Sequence, residues 1–254
     1  MRIMAIALMA FTEAVRDRIL YSLLVFALAM IGSSTVLVQL SVGGEEKIVK
    51  DLGLAAISLV GVLIAVFIGV GLVSREIDRK TIYMVMARPV RRAEFVLGKF
   101  CGLALTLLVN VAVMTAGLLS LAWLLEGRWS LDLLPAILLA FIELLLVTAT
   151  AILFSTFTTP TLSAIFTLCV FVIGRLSGDL LAFAKQFGGS LLQALAAGLF
   201  YVLPNLARFN IWEASVHGLP LEAGYFPLAL LYGGAYLVVL LAAATLIFAR
   251  RDLK

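Results

Sequence analysis

Residues 53–73 read GLAAISLVGVLIAVFIGVGLV, a run of 21 positions with no charged side chain and with apolar groups on every face of the helix it would form. At 1.5 Å per residue such a helix covers about 30 Å, the thickness of a bilayer's hydrocarbon core. A strand of a transmembrane barrel would instead alternate apolar and polar residues over about ten positions, so the run excludes a barrel. Comparable runs occupy 19–40, 100–125, 133–157, 162–183 and 226–249, with short polar stretches between them. The whole chain follows suit: of its 254 residues 63% are hydrophobic and 13% charged, and the mean hydropathy is +1.15. A sequence of that composition has too few polar side chains to clothe a water-facing surface, so its solvent is lipid. The fold class is therefore all-α, a polytopic membrane protein with six transmembrane helices. A seventh apolar stretch, 191–203, is closed by Pro204 and is too short to cross; it reads as a re-entrant or interfacial segment.

Six crossings put both termini on one side, and basic residues say which. With the N-terminus inside, the inner segments hold Arg2, Arg16, Arg18, Arg75, Arg79, Lys80, Arg88, Arg91, Arg92, Lys99, Arg250, Arg251 and Lys254, thirteen of the 19 basic residues. The positive-inside rule then makes both ends cytoplasmic. The basic balance is an orientation signal with some attraction for anionic membrane lipid, and no cluster interleaved with aromatics points to nucleic acid. Residues 1–18 are too amphipathic, and lack the small-residue cleavage site, to be a signal peptide; they read as a surface helix before the first span, with Glu13, Arg16 and Asp17 on one face. Cys101 and Cys169, single and far apart, are expected to be packing residues.

Chemistry of the enzymatic kind is missing. No G-x-x-x-x-G-K-S/T string is present to cradle phosphates, so any ATPase is another chain. The one histidine, His217, falls in an outer loop, and a lone imidazole supplies one ligand where a metal site needs about four. No catalytic residues and no metal site are assigned.

The loop 74–99, SREIDRKTIYMVMARPVRRAEFVLGK, carries seven basic and three acidic residues. Its first half continues the second span as helix, with Arg75, Glu76, Asp78, Arg79 and Lys80 outward and Ile82, Val85 and Met86 behind them. Pro89 breaks that helix and suits the first turn of a short second helix through 90–96. From the residues alone the loop is either a solvated connection or a docking element for a cytoplasmic partner.

The order Glu76, Thr81, Arg88-Pro89-Val90-Arg91-Arg92, Glu94, Gly98-Lys99 resembles the signature of ABC exporter permeases of the second type, approximately E-x-x-x-G-T-x-x-x-x-x-x-x-P-V-S-R followed by G-K. The N-terminal surface helix and the ending IFARRDL, 247–253, agree with that family, and LPNLARFN, 203–210, resembles the outer loop of its multicopper-enzyme-maturation permease group. Lys80 departs from the pattern, standing where the family has Gly. The resemblance implies that the loop is a coupling helix seated in a separate cytoplasmic ABC ATPase subunit, which would hold the ATP and Mg, while this chain binds no cofactor. It further implies that Arg88, Pro89, Arg91, Arg92 and Glu94 make the contact, supported by Glu76, Asp78 and Arg79, and that a second permease chain, identical or sister, completes the transporter in the cytoplasmic (inner) membrane.

The expected organisation is one permease domain, 1–254, comprising the surface helix 1–18, the coupling loop 74–99 and an outer re-entrant region 184–225 that in the resembled family closes the exit. Gly61, Ala65 and Gly69, and the pair Gly98 and Gly102, form small-residue stripes that permit close helix packing, either within one bundle or between subunits. Within the membrane, Glu143 in the fourth span is a costly carboxylate. It and Asn110 are candidates for the translocation pathway; alternatively Glu143 hydrogen-bonds a neighbouring span through Asn110 or Thr115. Arg175 and Asp179, spaced i, i+4, are expected to form a local ion pair. The competing functions are a self-contained secondary transporter or channel, disfavoured by the lack of internal repeats, and a membrane anchor for a cytoplasmic enzyme. Nothing in the sequence selects a substrate.

Overall fold

A computed structural model describes residues 2–40, 45–78, 92–127, 129–187, 189–219 and 224–250. The structure is 91% helical, without strands among the described residues. Among the described residues six helices are long and apolar enough to cross a membrane: α2 (Arg18–Leu40), α3 (Glu45–Asp78), α4 (Arg92–Glu126), α5 (Leu134–Ser155), α6 (Pro160–Phe187) and α9 (Tyr225–Arg250). Preceding them is α1 (Arg2–Val15), and between α6 and α9 lie α7 (Ser190–Val202), a 3₁₀ turn (Leu206–Phe209) and α8 (Trp212–His217).

α3 and α5 form the centre of the bundle, whereas α2, α6 and α9 keep broad outward faces exposed. Those faces carry Val25, Phe26, Phe183, Leu228, Leu231 and Val238, as expected where the surroundings are acyl chains. Four buried hydroxyls are satisfied locally: Thr106, Thr148, Thr150 and Thr167 each donate to the carbonyl four residues back. Such bonding lets a polar residue sit in a span without an orphaned donor. The tight connection from α5 to α6 is closed the same way, with Ser155 and Ser163 hydroxyls 3.0 Å apart and both directed at the Ala151 carbonyl. Pro160 then opens α6 at the position where its missing N–H costs nothing.

The small-residue stripes are spent inside the bundle. A Cβ on Gly102 would lie 2.5 Å from the Ala7 carbonyl oxygen and 2.6 Å from the Ala10 Cβ, and one on Gly98 would lie 2.7 Å from the Ile6 Cβ. These two glycines let α1 lie directly along α4, burying Ala7, Ala10 and Ala14. Gly61 and Gly69 face Leu144 and Ala151 of α5. The stripes are thus intramolecular seams.

Three expectations need revision. α1 ends at Val15, and Arg16 and Asp17 form the turn into α2 instead of extending the helical face; Asp17 caps α2 by accepting the Ile19 N–H at 3.0 Å. Residues 92–96 belong to the uninterrupted α4, not to a separate short helix, because nothing between Arg92 and Phe100 breaks the 3.6-residue repeat. Cys101 and Cys169 are exposed on the outer faces of α4 and α6 and fill no internal space.

Candidate functional site: a buried ion pair beneath the folded-back segment

Glu143 sits in the middle of α5 with its side chain 2% exposed. Its partner is Arg175 of α6, whose Nη1 lies 3.2 Å from Oε1 and 3.5 Å from Oε2. The same Nη1 donates to the Oγ of Ser58 in α3 at 2.9 Å, so one guanidinium nitrogen ties together three helices. The guanidinium carbon lies 4.6 Å from the ring centroid of Trp212 and 5.8 Å from that of Phe171. Stacking on aromatic faces favours a partly desolvated guanidinium without competing for its hydrogen bonds.

Neither of the sequence-based pairings holds. Glu143 is bonded by Arg175 instead of Asn110 or Thr115, and Arg175 turns inward instead of towards Asp179. The i, i+4 spacing places Asp179 on the same face of α6, but a bare carboxylate in the core of α5 offers the stronger electrostatic partner, because water does not screen it. Asn110 is buried in α4 and donates to the Thr106 carbonyl at 2.8 Å; its Oδ1, like the Thr115 hydroxyl, has no hydrogen-bond partner among the described residues.

Trp212 reaches Arg175 because the segment after α7 folds back against the bundle. Leu206 and Phe209 are fully buried, and Pro204 is buried beside them. Two glycines make room. A Cβ on Gly174 would stand 2.7 Å from the Pro204 carbonyl oxygen, and one on Gly233 of α9 would stand 2.6 Å from Ile142 and 3.2 Å from the Phe209 ring. The segment is then fastened to α9 by two tyrosines: Tyr232 accepts the Asn205 N–H at 2.8 Å, and Tyr225 donates to the Arg208 carbonyl at 2.7 Å. Gly218, at φ 64°, ends α8 in the left-handed conformation and closes the fold-back with a bond from the Leu219 N–H to the Ala214 carbonyl.

A second cluster joins the ends of α4 and α9. Arg92 Nη1 donates to the carbonyls of Phe248 and Ala249 at 2.9 and 2.6 Å, and the Phe95 and Phe248 rings stack at 5.7 Å. A cation on the last carbonyls of a helix satisfies acceptors that have no intrahelical donor and complements the helix dipole. Nearby, Lys99, buried in α4, pairs with Glu13 of α1 at 3.6 Å. Of the residues expected to contact an ATPase, Arg92 and Glu94 open α4, and Glu76 and Asp78 close α3, whereas Arg79, Arg88, Pro89 and Arg91 lie outside the described residues.

A bundle of six membrane-length helices in which Glu143, the one buried carboxylate among the described residues, is neutralised by an arginine, and in which a folded-back segment rests on that pair, is an integral membrane protein of the helical polytopic class. The model of the ABC-2 family transporter protein matches residues 4–253, essentially the entire chain, and no curated protein matches it. The chain belongs to the ABC-2 transporter family: it is the transmembrane permease of an ABC transporter.

Proposed function

We propose that this permease is an export subunit driven by a separate cytoplasmic ATPase that carries the ATP and Mg, and that it works as a dimer with itself or a sister chain in the inner membrane, both termini cytoplasmic. The observation that carries the reading is the overreach of α3 and α4. They run for 34 and 35 residues, over 50 Å each at about 1.5 Å per residue, so both extend beyond the hydrocarbon where they flank 79–91. A partner pressing on that loop acts directly on two rigid helices, and through Arg92 on α9. Arg88, Pro89 and Arg91 supply the contact, with Glu76, Asp78 and Arg79 as the stalk. Arg92 serves transmission, because its guanidinium is already held by α9.

At the opposite end, the fold-back 203–217 is the outer closure of the pathway and the Glu143–Arg175–Trp212 group is its latch. Glu143 then holds the resting state shut, and Asn110, with an unpartnered acceptor in α4, remains the pathway-facing candidate. The test is a cysteine at position 88 in the intact complex: a short bifunctional reagent is expected to link it to the ATPase subunit, and cross-links confined to lipid or to the permease itself would refute the coupling arrangement.

A further inference from the structure

The turn between α1 and α2 encloses an open cavity of about 560 Å³ lined by Met9, Thr12, Glu13, Arg16, Asp17 and Arg18. Its four charges are not equivalent. Glu13 is paired with Lys99, and Asp17 is committed to the first turn of α2. The side chains of Arg16 and Arg18 are exposed and make no hydrogen bond or ion pair among the described residues, so the cavity offers two guanidinium groups that neither neighbouring carboxylate engages. Beside it the outward faces of α1 and α2 are apolar and open: Met9 is 63% exposed, Leu8 52% and Ile19 44%.

We propose that this elbow is a binding site for the phosphate of an anionic phospholipid, with Arg16 and Arg18 on the phosphate and the acyl chains against Leu8, Met9 and Ile19. Guanidinium groups match phosphate oxygens in geometry and charge. The elbow stands where α2 begins its crossing, at the depth of the headgroups, and its apolar flank fits chains that a free phosphate ion lacks. The site docks α1 to the membrane surface and does not depend on the export reading.

The test is a titration of the full-length protein in neutral detergent, followed by native mass spectrometry, with short-chain phosphatidylglycerol, short-chain phosphatidylcholine and inorganic phosphate as separate probes. Phosphatidylglycerol is expected to bind tightest, and an Arg16→Gln, Arg18→Gln double variant to lose affinity roughly tenfold or more, in a salt-dependent manner. Arg16→Lys with Arg18→Lys retains the charges and is expected to keep part of that affinity. Lys47→Gln with Lys185→Gln, which removes the same charge elsewhere, is expected to bind as the native chain does. Phosphate binding as strongly as the lipid would reassign the site to a soluble anion and overturn the proposal. Equal phosphatidylglycerol affinity in the native chain and the Arg16→Gln, Arg18→Gln variant would also overturn it.

Discussion

Arg175 and Glu143 meet at 3.2 Å between α6 and α5, and the same guanidinium nitrogen reaches Ser58 in α3. A carboxylate and a guanidinium held this way cancel each other's charge but gain little over a well-packed apolar pair; the penalty appears when one is removed and the other is stranded.

Glu143→Ala or Arg175→Ala alone is therefore expected to cost about 3–5 kcal/mol. Glu143→Leu with Arg175→Met is expected to recover most of that loss. Thermal denaturation of detergent-purified variants measures it; additive losses in the double variant would show that the two side chains act independently.

Replacing Trp212 by Leu removes the aromatic face under Arg175, worth about 0.5–2 kcal/mol at a partly desolvated site. The expected outcome is local. Amide hydrogen exchange should quicken across 204–217 while α3 and α5 keep native protection, since the fold-back loses a fastening and the central helices do not.

Gly102→Val is expected to destabilise by about 1–3 kcal/mol, because the α1 backbone occupies the space a side chain needs. Gly178→Ala and Gly234→Ala meet no atom within 4 Å and are expected to be neutral or slightly stabilising. Limited proteolysis near the α1–α2 turn separates the two cases, with earlier cleavage in the Gly102 variant only.

Much of the architecture follows from runs of apolar residues whose length matches a bilayer, which is why all six spans are legible in the sequence. Pairing between helices is not, because it depends on the rotation of each helix about its axis. Arg175 shows the difficulty: its nearest sequence-based partner was Asp179, four residues away. A usable signal was present in depth. Glu143 lies about 14 Å along α5 from the start of that helix and Arg175 about 18 Å from the end of α6, two ends that neighbour the same side, so a lone buried carboxylate had a counter-charge at similar depth. The glycine stripes were visible too, but not what they face, since a small residue marks close approach without naming the neighbour. For Gly98 and Gly102 that neighbour is α1, and for Gly174 it is the fold-back.

Arg92→Ala is expected to cost about 1.5–3 kcal/mol, as charge-assisted bonds to the last carbonyls of α9 disappear. Exchange at the C-terminal turn of α9 should rise in that variant. On the proposed coupling, which assigns contact to Arg88 and Arg91 and transmission to Arg92, ATPase binding should persist while transport-linked hydrolysis falls.

The most direct test is co-purification of the intact permease with its ATPase subunit, followed by ATP hydrolysis in lipid, comparing the native chain with an Arg88→Glu, Arg91→Glu variant. The native pair is expected to purify together and hydrolyse ATP, and the variant permease to fold and insert yet lose the ATPase. An ATPase retained equally by the variant would contradict coupling through this loop, and a native chain that binds no ATPase would contradict the driven exporter itself.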